Sequence, residues 1–217
     1  MIIAIDGPAA SGKGTLSRRL AEALGFAHLD TGKLYRAVGY AVLQAGGDPA
    51  DPEAAEKAAR ALDVAQLSNP ELTLDHVADA ASKVAAIPGV RKALLDFQRN
   101  FAKEPPGKAK GAVLDGRDIG TVICPDAPVK FFVTADVEIR AQRRHKELLD
   151  RGEASIYARV LEELQARDER DRNRADAPMR AADDAVTLDT SAMTPDAVLD
   201  EALRIVEEKR PSDGSGS

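Results

Sequence analysis

The segment "GPAASGKGTLSRRL", Gly7–Leu20, follows directly on the apolar run "MIIAID" at 1–6. A short, β-branched run, a glycine-rich turn and an amphipathic pattern opening at Lys13 read as strand, turn and helix. The spacing Gly-x-x-x-x-Gly-Lys places the backbone N–H groups of the turn and of the helix N-terminus around an anion. Glycine lets the chain approach closely, and Lys13 brings a mobile charge to the outer phosphates. Gly7, Pro8, Ala9, Ala10, Ser11, Gly12, Lys13, Gly14 and Thr15 form this candidate phosphate-binding loop. Gly14 stands where such loops usually place Ser or Thr, and the hydroxyl comes one residue later. A divalent ion beside the phosphates is therefore left to Thr15, partly through water.

Working outward, short apolar runs recur at "AHLD" (27–30), "GAVLDG" (111–116), "VKFFVTA" (129–135) and "AVTLDT" (185–190). Such runs read as strands buried on both faces, and helical patterns at 13–24, 90–103, 136–149 and 155–170 separate them. Alternation of strand and helix predicts an α/β three-layer fold on a five-stranded parallel sheet. Residues 46–88 read as a small helical insertion in which "SNPELTL" is turn and Pro88 ends a helix over "DHVADAASKVAAI". "DRGE" (150–153) interrupts a helical hairpin from about 136 to 174, which predicts a lid. The expected organisation is a core of 1–45 and 89–210, the insertion at 46–88, and a disordered tail at 211–217.

A net charge of −6 argues against a general nucleic-acid binder, although local arginines can still attract a small anion. A single cysteine, Cys124, excludes an internal disulfide and suits a reducing compartment. No signal sequence or membrane-length apolar run is present, so a cytoplasmic location is expected. No heptads or apolar surface stripes point to assembly, so a monomer is expected.

Ten of the 19 arginines fall between Arg140 and Arg180, among nine acidic residues. Within "ARDERDRNRADAP", Arg167, Asp171 and Arg174 are spaced to share one helical face. Two guanidinium forks around a carboxylate suit a phosphate or a base edge, and suit equally a surface ion-pair network. In "LDTGKLYRAV", Asp30 ends a strand, Thr31 and Gly32 cap the next helix, and Arg36 faces the crevice outside the strand ends. That segment also reads as a plain cap with a surface arginine. In "LDGRDIGTVICPDAP", Gly116 bends the chain after Asp115 and presents Arg117 and Asp118 beside the same strand ends, or simply makes a polar turn.

The "GKGT" loop resembles that of nucleoside-monophosphate kinases, and the guanine-reading Asn-Lys-x-Asp of the GTPases is absent. With "LDTGKLYRA", "VADAASKVAAIPGVRKALLDFQR", "DGRDIGTVICPDAPVKFFVTA" and "ARDERDRNRADAP", the chain closely resembles the bacterial cytidylate kinases from Met1 to about Arg210. The resemblance implies ATP-dependent phosphorylation of CMP and dCMP with Mg2+. It implies CMP-binding roles for Thr31, Arg36, Ser82, Arg91, Asp118, Arg167, Asp171 and Arg174, with Ser82 and Arg91 serving base and phosphate and Asp171 the sugar. Lys13, Arg36, Arg117 and Arg174 are the expected catalytic cations, and arginines near 143–151 the expected lid contacts to ATP. Asp30 or Asp115 would order the metal's waters. Many relatives carry a small β-sheet where this chain has only "QLSNPELTL", which leaves the shape of the CMP lid and the choice of CMP over UMP open. The alternative reading is a kinase acting on UMP or AMP.

Overall fold

The computed structural model describes residues 1–209, so the tail at 211–217 lies outside the described residues. Strands β1 (Ile2–Asp6), β2 (Ala27–Asp30), β3 (Ala112–Gly116), β4 (Val129–Thr134) and β5 (Val186–Asp189) form one parallel sheet in the order β2-β3-β1-β4-β5. Register pairs Asp6 with Gly116 and Asp30 with Asp115, so the polar strand ends line up along one edge. β1 and β3 are buried along almost their whole length, as their apolar runs predict. The outer strands β2 and β5 are only partly covered, because each has a neighbour on one side alone.

Alternation along each strand divides the core in two. Ile3 and Ile5, with Val113, Phe131 and Val133, pack against Leu16 and Leu20 of α1 (Lys13–Leu24) and against Ala202 and Ile205 of α8 (Pro195–Glu208). Ala4, Leu29 and Leu114 face the other way, onto Ala102 of α5 (Pro88–Lys103) and onto Ile119 and Ile123. Helix, sheet and helix thus make three layers.

α2 (Thr31–Gln44) runs from the end of β2 into the insertion, which holds α3 (Pro52–Arg60) and α4 (Asp75–Val84). Between them "SNPELTL" is more ordered than a bare turn: two 3₁₀ segments, Val64–Ser68 and Pro70–Thr73, are capped by the Asp63 and Asn69 side chains. Pro88 does not end α4, which stops at Val84. It opens α5 at N1, where its missing N–H would have had no partner. The π-helical turn Ile119–Ile123 was not legible in the sequence.

α6 (Val137–Asp150) and α7 (Tyr157–Asn173) form the expected hairpin. Their apolar seam of Ala141, Leu148, Val160 and Leu164 extends onto Ala9 and Ala10, seating the hairpin on the phosphate loop.

Candidate active site

The loop between β1 and α1 has the conformation that its glycines permit. Gly7 has φ 149°, and a Cβ there would lie 2.0 Å from the Val133 carbonyl oxygen. Gly12 has φ 89° and delivers the chain into α1. Ala10 takes φ 58°, a left-handed conformation that costs a non-glycine residue energy and tends to mark functional loops. Thr190 fastens the loop from outside: its hydroxyl donates to the Ser11 carbonyl at 2.9 Å, while Arg143 holds Thr190.

In front of the loop lies a cavity of about 1500 Å³, whose wall includes Lys13, Thr15, Asp30, Arg36, Arg167 and Arg174. Single small-molecule sites run to roughly 300–1,000 Å³, so there is room for a donor and an acceptor together. The hairpin contributes Arg144, Arg151 and Arg170 to the wall, whereas Arg143, expected there, is turned away toward Thr190. Arg144 pairs with Asp75, and Arg170 with Asp79 at 2.9 Å, so hairpin and insertion already touch across the cleft.

The cations are crowded. Lys13 is half-buried, and desolvation followed by the charge of Arg117 pulls its ammonium down to about 8, against the attraction of Asp115 and Asp30. Arg167 is pulled down to about 10 by burial and again by Arg117, and its Nε lacks a hydrogen-bond partner among the described residues. Burial also lowers Arg36, whose guanidinium donates to the Leu72 carbonyl at 2.7 Å. A phosphate entering this cleft would relieve all three.

Behind the wall is a second, drier layer. Asp118 is 5% exposed and is gripped by Arg91 and, at 3.3 Å, by Arg174. Arg91 also donates to the Tyr35 hydroxyl at 3.3 Å and meets Asp176 at 3.3 Å. Arg117 holds Asp171 at 2.8 Å. Burial would raise the Asp171 carboxyl, but Arg117 and Arg167 outweigh it and hold the group below its ordinary range. Ser82 is buried on α4 with no hydrogen-bond partner for its hydroxyl among the described residues.

The predicted residues therefore converge, with three changes of detail. Arg174 is not on the helical face with Arg167 and Asp171; it is the C-cap of α7 with extended backbone, and it turns to Asp118 while Asp171 pairs with Arg117. Asp30, not Thr31, is the N-cap of α2, and the Thr31 hydroxyl donates to the Asp115 carbonyl at 2.8 Å. Thr31, Ser82, Arg91, Arg117, Asp118 and Asp171 pack behind the cavity wall rather than on it, and on that side Arg91 is closed on Asp118 and Arg117 on Asp171.

Sequence reasoning missed Arg140. It is 3% exposed, forms a two-pronged pair with Asp168 at 2.6 and 3.3 Å, and donates to Ala9 of the loop at 3.2 Å. An arginine and an aspartate 28 residues apart carry no local signal of pairing.

Thr15 and nearby Asp30 offer only oxygen donors, and among the described residues no three His, Cys, Asp or Glu side chains gather into a metal cage. That donor set fits Mg2+, which keeps waters and leans on substrate phosphates.

Comparison with known proteins bears on the whole chain. A solved structure of an uncharacterized protein from Eubacterium ventriosum superposes with a TM-score of 0.55 at 17% identity, covering 96% of this chain and 98% of that one, and shares the fold. Cytidylate kinases of Paramagnetospirillum magneticum and Rhodospirillum rubrum are each 61% identical over 209 residues, covering 96% of this chain and 99% and 98% of theirs. The cytidylate kinase of a Caulobacter species is 56% identical over 96% of this chain. The family model for cytidylate kinase matches residues 3–208. With the phosphate loop, the cationic cleft and the buried arginine–aspartate layer already in place, this match means that the chain belongs to the cytidylate kinase family.

Proposed function

We propose that the protein transfers the terminal phosphoryl group of ATP to CMP and dCMP, giving ADP with CDP or dCDP. The observation that carries this reading is the two-layered cleft. A lysine loop faces Arg36 and Arg167, which have no ion-pair partner among the described residues, and behind them sits a buried Arg91–Asp118–Arg174 cluster with the Ser82 hydroxyl, also without a partner among those residues.

Phosphoryl transfer needs positioning and charge stabilisation more than covalent chemistry. The 7–15 loop takes the donor phosphates, with Lys13 on the outer ones. When bound, Mg2+ would be held by Thr15 and by waters that Asp30 or Asp115 orders, and it would neutralise phosphate charge. Arg36, Arg91 and Arg174 take the acceptor phosphate, which competes with Asp118 for its two arginines and so opens the shut side. Thr31, Ser82, Asp118, Arg167 and Asp171 read base and sugar, and Arg117 sets Asp171. The hairpin, residues about 136–174, closes over the insertion, residues 46–88, and excludes water that would otherwise hydrolyse ATP. The acceptor phosphate is anionic at neutral pH, so no general base is required.

No described helix is long and apolar enough to cross a membrane. On this reading the enzyme is a monomer acting on free nucleotides in the cytoplasm. The deciding experiment is ADP formation from Mg·ATP with CMP, dCMP, UMP and AMP in turn. Strong turnover with CMP and dCMP is expected. Preference for UMP or AMP would keep the phosphate loop and overturn the roles of Ser82, Arg91 and Asp118.

A further inference from the structure

Four of the five strands bring an aspartate to the sheet's carboxyl edge, and three of these have plain assignments. Asp30 stands at the N-cap position of α2 and attracts the Lys13 ammonium, Asp115 holds His28 at 2.8 Å, and Asp189 bonds Ser191. Asp6 is different. It is the last residue of β1, immediately before the phosphate loop, and it is 3% exposed. Its two oxygens accept the backbone N–H groups of Ile119 at 2.7 Å and Gly120 at 2.8 Å. These are the first donors of the π-helical turn, which have no partner inside that turn. They lie directly after Arg117 and Asp118, whose side chains hold Asp171 on one side and Arg91 with Arg174 on the other.

A carboxylate is a costly choice in so dry a place. Burial pushes the Asp6 carboxyl up to about 7 even though both N–H bonds favour the charged form; Asp118 adds to the rise and Arg117 opposes it. The neighbouring ammonium of Lys130 is directed to Pro125 and Asp184 instead. Asparagine would avoid the charge but has one acceptor oxygen for two inward-pointing donors. Here each N–H has an oxygen of its own, and at this length only a carboxylate supplies two.

We propose that Asp6 is a positioning residue that ties the donor loop to the acceptor-reading turn, fixing Arg117 and Asp118 in register with the loop that begins at Gly7. It touches neither nucleotide; it acts through the turn. The inference rests on the reading of the Arg91–Asp118–Arg174 cluster as the CMP side.

Asp6→Asn is nearly isosteric and leaves one N–H facing an amide donor. In calorimetry on the intact protein, CMP affinity should fall about tenfold while Mg·ATP affinity stays within about twofold, and kcat should drop at least about tenfold. Gly120→Ala keeps the charge but brings a Cβ to 3.4 Å from the Asp6 Oδ2 and 3.2 Å from Lys130, and should shift CMP affinity in the same direction by less. A merely structural role would lower the melting temperature and leave kcat and both affinities unchanged, which would overturn the proposal. Equal weakening toward ATP and CMP would overturn it too. Should Asp6→Asn not fold, amide exchange on the wild type decides: Ile119 and Gly120 must be protected and slow further when CMP binds, and indifference to CMP overturns the coupling. A wild type that fails to bind CMP would sink the acceptor-side reading itself, whereas CMP bound equally by wild type and Asp6→Asn would sink only the role of Asp6.

Discussion

Binding of Mg·ATP should draw a proton onto Lys13. In the free protein, desolvation and the facing Arg117 hold its ammonium near 8, more than two units below the ordinary 10.5. Donor phosphates supply the missing counter-charge and should return the group toward its ordinary value. At about pH 9 the free lysine would be only about a tenth protonated and the bound one nearly fully so, an uptake of about 0.9 proton per ATP. At about pH 7 both forms are protonated and the uptake falls to about 0.1. The sign follows from linkage: a cation whose pKa rises on binding favours the complex at low pH. Affinity should therefore weaken about tenfold between about pH 7 and about pH 9. Arg167, held near 10 and placed on the acceptor side, can add at most about 0.1 proton at the higher pH. Calorimetry of Mg·ATP binding, without acceptor, in two buffers of different ionisation heat reads the proton count directly. Lys13→Arg keeps a cation that does not titrate and should leave an uptake of at most about 0.1 proton. An uptake below about 0.3 in the wild type, or one unchanged in Lys13→Arg, would refute the assignment.

Lys13→Ala should lose at least about a thousandfold in turnover with the fold intact by circular dichroism; near-normal turnover would remove its role. Asp171→Ala should impair CMP and dCMP unequally in kcat/KM, and equal loss would remove Asp171 from sugar recognition. The same variant strands the Arg117 guanidinium, so its melting temperature should fall as well. Arg140→Ala leaves Asp168 charged and buried, and chemical denaturation should show a loss of about 3–5 kcal/mol. Pairing Arg140→Met with Asp168→Leu should restore most of that stability, and no recovery would mean that the contact to Ala9 dominates. Gly7→Ala forces a side chain against Val133 in a backbone region that L-residues avoid, and should cost at least about 2 kcal/mol and weaken ATP binding.

What could be read along the chain was whatever local order determines. The "MIIAID" run, the glycine spacing and Lys13 are neighbours in sequence, and strand, loop and α1 appear where their pattern placed them. The alternating apolar runs called for a parallel sheet, and the β2-β3-β1-β4-β5 sheet carries them in register. Pro88 misled because proline stops one helix and starts another with equal ease, and only the packing of α5 chose between them. Arg174 misled because a helical spacing was extended one residue beyond the end of α7.

Residue types and spacing alone determined the phosphate loop, the α/β class and the set of cations available to the cleft. The partners of those cations were decided only in three dimensions. Arg91 with Asp118, Arg117 with Asp171, Arg140 with Asp168, and Asp6 with the amides of Ile119 and Gly120 are 27, 54, 28 and 113 to 114 residues apart. A charge on a chain has many possible partners at such distances. Burial removes the choice, because a desolvated carboxylate must find donors within reach, and which donors those are depends on how the strand ends and helices meet.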